Sequence, residues 1–324
     1  MDQHSGGVAV EEKPQPAEKK QSALAQKLRV IIPILGVVIG IAMLMYPVFA
    51  TRHNDVKHQE YVQEYSQIIN KTDKAELERQ LEAADKYNED LTQGIILDPF
   101  LKEVAPDGPQ YMSYLKQLNL SEDGTDTAMS NVRIPSQDVN LPIYHGTFDD
   151  TLKKGVGHLF GSSLPVGGIG SHSVLTGHTG LPDATMFDNL SKVKEGDVFY
   201  LNTFGRTMKY QVNDIKIVLP EETDSLKRVD GKDLVTLITC TPYGINSHRL
   251  LVTGERVPMD ADDEKAATED IKPKAKWQWW MFLLLGAAII SALLMAYGIY
   301  RMVKHNQGAA AAKNSSEEEE EQQD

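Results

Sequence analysis

The sequence predicts a mainly β domain carried between two membrane-spanning helices, and three observations support this. Val30 to Ala50 and Met281 to Tyr300 are uncharged apolar stretches of about 20 residues, enough to cross about 30 Å of hydrocarbon. Between Val132 and Val257, some seven short runs rich in β-branched and aromatic residues alternate with Gly, Pro and Asn turn signals. Ahead of them, residues 55–92 repeat apolar positions at helical spacing. In a chain of 324 residues this leaves residues 51–276 between the spans, long enough for a core.

Residues 1–29 read as a polar tail that carries Lys13, Lys19, Lys20, Lys27 and Arg29, whereas only Arg52 and Lys57 follow the span at 30–50. The excess of positive charge ahead of the span places the tail in the cytoplasm and the middle domain outside. Val48-Phe49-Ala50 also has the form of a signal-peptidase site. The apolar run is longer than a usual signal core, which favours an uncleaved anchor.

Residues 51–92 read as a helical stalk. Leu77, Leu81, Ala84, Tyr87 and Leu91 fall on one face, and Asp73 with Glu76 has the form of a capping box. Residues 93–131 hold Gly94, Pro99, Pro106, Gly108, Pro109 and Gly124, and read as a connecting loop with a short helix around Tyr111–Gln117. The β runs of 132–258 follow at Val132–Pro135, Val139–Tyr144, Ser173–Thr176, Asp197–Asn202, Thr207–Val218, Leu234–Thr239 and Leu250–Val257. Their number and spacing predict a closed antiparallel barrel or a sandwich. Asp183 to Leu190 reads as one helical insertion among them.

Residues 259–276 are rich in charge and alanine and read as a linker to the second span, at 277–300. Trp277, Trp279 and Trp280 open that span and Tyr297 and Tyr300 stand near its far end, the aromatic belt of a spanning helix. Its flanking charges are divided, with Arg301, Lys304 and Lys313 on the inner side and Lys265, Lys272, Lys274 and Lys276 on the outer. The first span therefore sets the orientation. Residues 301–324 read as a cytoplasmic acidic tail, disordered from Ala309 and ending in the run Glu317–Glu321. The net charge of -13 speaks against nucleic-acid binding.

Cys240 is the only cysteine, so it forms no intramolecular disulfide. A lone cysteine is usually a small buried hydrophobe. This one closes the apolar run Leu234–Thr239 and precedes the turn Pro242-Tyr243-Gly244, which presents its thiol at a strand end. Nine residues on, Arg249 opens a second strand-like run, so the two side chains can stand side by side on neighbouring strands. A nucleophile beside a fixed positive charge is what acyl transfer requires.

The stretch Thr236-Leu-Ile-Thr-Cys-Thr-Pro-Tyr-Gly-Ile-Asn-Ser-His-Arg-Leu-Leu-Val252 resembles the active-site strand pair of the sortases, above all the class C, pilus-assembling members of Gram-positive bacteria. Thr176-Gly-His-Thr-Gly-Leu-Pro182 is similar to the family's histidine motif, with Thr179 where Arg is common, and so points to His178. His172 and His248 are set aside on motif position. The spacing of His145, His158, His172 and His178 matches no zinc pattern, and no second cysteine is present to join them. The resemblance spans 93–258, including Leu141–Gly146 and Gly155–Leu159, and implies the eight-stranded sortase barrel.

The resemblance implies roles as well. Cys240 would attack the signal carbonyl, His178 would act as general acid and base, and Arg249 would hold substrate and oxyanion. Arg249 and His178 would also raise the thiolate fraction. Leu97-Asp98-Pro99-Phe100 resembles the class C lid, whose acid pairs with the arginine and whose ring covers the cysteine; the Asp98–Arg249 pair is expected near the surface. Read without that resemblance, Asp-Pro-Phe is a turn with an anchoring aromatic.

The expected activity is cleavage of LPxTG-type signals between Thr and Gly, with transfer to a lysine amine of the next pilin and no cofactor or metal. A cell-wall-anchoring sortase using a peptidoglycan-precursor amine and a non-catalytic barrel adhesin stay open as alternatives. A sortase substrate is a further rival, but Leu181-Pro182-Asp183 and Leu219-Pro220-Glu221 lack the Thr-Gly it would need.

Overall fold

The computed structural model describes residues 23–92, 98–100, 108–121, 127–268 and 277–321. It divides into two compact units. One comprises the chain up to Met45 with the chain from Phe282 on, and the other is Tyr46–Met281. In the first, α1 (Ala23–Lys71) and, at the far end of the chain, a long final helix (Trp279–Glu321) expose apolar side chains such as Ile32, Leu35, Leu283 and Leu294. Both helices are long and apolar enough to cross a membrane. The final helix continues to Glu321, which corrects the expectation of a disordered tail from Ala309. Ala, Lys and Glu are strong helix formers and extend a helix already nucleated by the apolar stretch. Residues 1–22, 93–97, 269–276 and 322–324, on which parts of the expected tails, lid segment and linker fall, lie outside the described residues.

In the second unit, α1 runs past Ala50 without a break and buries Val62, Tyr65 and Ile69. α2 (Lys74–Asp90) follows after a short break and buries Leu81, Ala84 and Asn88. The capping box is half formed. Asp73 accepts from Ala75 N at 3.4 Å, but Glu76 turns to Arg79 and Gln80 instead of reaching back to the cap. Asn88 fastens α2 to the domain by donating to Leu164 O (3.1 Å) and accepting from Leu164 N (2.7 Å). α3 (Pro109–Leu115) carries the buried Tyr114.

Eight strands close into a barrel. They are β1 (Ser130–Ile134), β2 (Val139–His145), β3 (Val156–His158), β4 (Ser171–Thr176), β5 (Val198–Thr203), β6 (Arg206–Val218), β7 (Asp233–Thr241) and β8 (His248–Val257). Their order around the barrel is β1-β2-β3-β4-β7-β8-β6-β5, returning to β1. The barrel is the eight-stranded one the resemblance implied. It is mixed, not antiparallel throughout, because β2–β3 and β4–β7 pair in parallel. α4 (Asp149–Lys154) makes the crossover between β2 and β3. A last short helix, α5 (Ala261–Thr268), follows β8, and the final helix is α6.

Alternation along the strands sends Leu175, Leu237 and Val252 into the main core, with Phe199 stacked on Tyr210 at 5.5 Å between ring centres. Val174, Ile238 and Leu251 point the other way and form a second cluster with Leu159 and Leu226, against which Phe100 packs.

The helical insertion expected over Asp183–Leu190 is a series of turns ending in a 3-10 helix at Leu190–Lys192. Met186 takes a positive φ of 40°, and Phe187 N donates to His178 O at 3.0 Å. Asp188 N and Leu190 N close turns on Thr185 O and Phe187 O, so the segment's donors are divided between tight turns and the neighbouring strand end and form no helical ladder.

Candidate active site

The register of β7 and β8 places Cys240 directly opposite Arg249. Cys240 is the first half-exposed residue after the buried run Leu234–Thr239. Thr239 points the other way, and its hydroxyl donates to Gly177 O at 2.7 Å. Gly177 N donates in turn to Ile238 O (3.0 Å), so the segment carrying His178 is laced to the strand carrying Cys240. A Cβ at Gly177 would come within 2.5 Å of the Phe187 ring, which is why no larger residue fits there in this packing.

Arg249 is engaged through all three of its guanidinium nitrogens. Nε and Nη2 donate to the two carboxylate oxygens of Asp98 at 2.8 and 2.6 Å, and Nη1 donates to the carbonyls of Asn246 and His248, each at 3.2 Å. The guanidinium lies 5.0 Å from the Phe100 ring centre. That ring is also 5.8 Å from the imidazole of His178. Phe100 thus stands between the arginine and the histidine while packing on the Ile238–Leu251 cluster. The ion pair is buried, with side-chain exposures of 11% for Arg249 and 1% for Asp98, which corrects the expected near-surface placement. Pro99 is buried beside it.

The thiol departs from expectation too. Burial pushes the Cys240 pKa up, the Arg249 charge pulls it down, and the Asp98 charge pushes it up again. Burial and the Asp98 charge together outweigh the pull of Arg249, so the balance at Cys240 favours the neutral thiol.

The other histidines that the sequence offered have partners of their own. His172 is buried between Lys227 O (2.8 Å) and Thr236 Oγ1 (2.7 Å), and burial lowers its pKa. His158 meets Tyr114 Oη (2.9 Å) and Ser163 O (2.8 Å), and His145 meets Gln117 O (2.8 Å). His248 is half-exposed beside Arg249, with Ser247 Oγ at 2.9 Å from its Nδ1. Among the described residues, no three His, Cys, Asp or Glu side chains are grouped to hold a metal ion.

Sequence reasoning missed Asp188. Its Oδ1 accepts from Thr179 Oγ1 (3.1 Å) and Gly180 N (2.7 Å), the two residues that follow His178. The sequence carries no distinct signal for it beyond an acid inside the segment Asp183–Leu190.

Residues 132–257 match the sortase domain family. Sortase C-1 from Actinomyces oris is 60% identical over 56% of this chain and 99% of its own, with a TM-score of 0.53. Sortase C from Streptococcus pneumoniae is 42% identical over 62% of this chain and 98% of its own, with a TM-score of 0.57. Sortase A from Bacillus anthracis is 26% identical over 236 residues, 73% of this chain and 98% of that protein. The chain belongs to the sortase family of cysteine transpeptidases, and its solved neighbours include class C members.

Proposed function

We propose that the protein is a membrane-anchored, pilin-polymerising sortase whose catalytic domain is extracytoplasmic and in which Cys240, His178 and Arg249 do the chemistry. The cross-strand pairing of Cys240 with Arg249 carries this reading. The Cys240 thiolate attacks the threonine carbonyl of an LPxTG-type signal. Arg249 donates to the oxyanion that develops, and its planar guanidinium holds its charge throughout. His178 protonates the departing glycine amine as the C–N bond breaks, leaving a thioester on Cys240. A lysine amine of the next subunit then attacks the thioester and gives its proton to His178. An isopeptide bond forms, and the sulfur is released.

Asp98, Pro99 and Phe100 act as a lid over this site. In the closed state Asp98 occupies the donors that the oxyanion needs, and Phe100 fills the space beside the histidine. The class C neighbours, one of them described in terms of pilin substrate specificity, favour a pilin lysine as acceptor. The curated relatives named sortase A favour a cell-wall amine as the second reading.

Mass spectrometry of the full chain in detergent with an LPxTG-type peptide tests the chemistry. A thioester on Cys240, absent in Cys240→Ala, is the expected result, and acyl-enzyme formation in Cys240→Ala would overturn the assignment. Offering a pilin lysine peptide and a peptidoglycan-precursor amine to the acyl-enzyme then decides between the two acceptors.

A further inference from the structure

His178 follows β4 on a segment whose backbone is tied on both sides. Toward β7, Gly177 is held by Ile238 O and the Thr239 hydroxyl. Away from β7, Phe187 N donates to His178 O, and a single oxygen of Asp188 accepts from both Thr179 Oγ1 and Gly180 N. Gly180 has a φ of +74°, a left-handed turn, and an ideal Cβ there would lie 3.6 Å from Gly244 N in the β7–β8 loop. The turn after His178 is thus set against the loop that follows Cys240.

The Asp188 segment is anchored in its turn. Asp188 N donates to Thr185 O (2.9 Å), while Thr185 donates through N and Oγ1 to the two carboxylate oxygens of Asp55 on α1 at 2.9 and 2.6 Å. Asn54, one residue earlier on α1, donates to Asp183 O at 2.8 Å. Asp188 is half-buried, and keeping a carboxylate there has a cost. Burial pushes its pKa up to about 6, against the pull of its bonds to Gly180 and Thr179, and the Asp55 charge adds to the rise while Lys192 opposes it weakly. What offsets that cost is aimed at the two residues after the histidine. A general acid works only within hydrogen-bond reach of its proton, and a displacement of about 1 Å can cost about 100-fold in rate.

We propose that Asp188 is a positioning residue for His178, and that Asp55 of α1 holds the segment that carries it. This rests on the reading of His178 as the proton-transfer group. Asp188 bonds to Thr179 Oγ1 and Gly180 N, so it acts on His178 through the 179–180 segment.

Asp188→Ala, Asp188→Asn and Asp55→Ala in the full chain in detergent test this, with thioester formation on an LPxTG-type peptide followed by quench and mass spectrometry. Asparagine keeps a carbonyl oxygen that can accept both bonds. Asp188→Ala should slow acylation at saturating peptide about 10- to 100-fold, with half-saturation within about twofold. Asp188→Asn should stay within about threefold of the parent, and Asp55→Ala should fall between the two. Amide exchange of Gly180 should quicken in Asp188→Ala while that of β7 and β8 is unchanged. Parental acylation in Asp188→Ala, or equal losses in the Ala and Asn variants, would overturn the proposal. If the parent itself forms no thioester, the assignment of the chemistry fails separately. Gly180 exchange then decides the positioning, and unchanged exchange in Asp188→Ala sinks it.

Discussion

Asp98 grips Arg249 through two parallel hydrogen bonds of 2.8 and 2.6 Å, across 151 residues of sequence and almost out of reach of solvent. Removing one partner of such a pair while the other stays buried costs about 3–5 kcal/mol. Opening the segment is a different change, because both charges then meet water, and the net preference for closure is much smaller than the bare attraction. A ring over the site adds packing and a cation–π contact of about 1 kcal/mol. A closed state favoured by a few kcal/mol, with the open state at roughly 0.1–10%, is within reach of substrate binding.

Asp98→Ala and Phe100→Ala should therefore each speed alkylation of Cys240 by a small thiol reagent, by about 10-fold or more, and raise activity on short peptides. Rates are read under pseudo-first-order reagent, with intact-mass detection. If both variants react at the parental rate, the segment is only a packed turn.

Arg249→Lys separates geometry from charge. An ammonium keeps the positive charge but lacks the fork that spans both Asp98 oxygens and that would meet the oxyanion. Thioester formation should fall by about 100-fold or more, the scale set by losing one oxyanion donor. The unfolding midpoint should barely move. Near-parental turnover in this variant would show that charge alone suffices.

The Cys240–Arg249 pairing was legible in the sequence because strand, short turn and strand leave little freedom in register once both runs are recognised. The Asp98-Pro99-Phe100 segment was legible only through its resemblance, since an acid, a proline and an aromatic also make an ordinary turn. Its burial was not legible at all, because exposure depends on what folds over it. β3 escaped notice because a three-residue strand that follows Gly155 and holds Gly157 at its centre has no periodicity to read. Asp183–Leu190 misled because Met186, Phe187 and Leu190 have the spacing of a helical face. Those side chains are buried, but Phe187 N turns to His178 O while Asp188 N and Leu190 N close i to i−3 turns, so no helical ladder forms.

His158 should make the domain acid-sensitive. It is buried between Tyr114 and Ser163, and burial lowers its pKa from the usual 6.5 to about 4. With a depressed folded-state pKa, its contribution is complete above about pH 6.5 and is lost as pH falls toward 4. In that window the unfolded chain binds a proton that the folded chain refuses. The limiting slope is about 1.4 kcal/mol per pH unit. The melting temperature of the full chain should drop between pH 7 and 4.5. His158→Gln, which can keep contacts to Tyr114 and Ser163, should show a shallower drop, and an identical pH slope would rule His158 out as the cause.

The reactivity of Cys240 should carry the signature of the closed segment in its pH dependence. Burial raises the thiol pKa first, Arg249 opposes it, and Asp98 adds to the rise. Only the thiolate attacks an alkylating reagent, so the parental rate should climb through a midpoint above the ordinary cysteine value. Asp98→Asn removes the opposing charge and leaves Arg249 to act on the sulfur alone, so its midpoint should move to lower pH. Phe100→Ala readmits water and should move it the same way. A simple gain in access would lift the rate at every pH and leave the midpoint in place. Equal midpoints in the parent and both variants would therefore show that the segment only blocks the thiol and does not set its protonation.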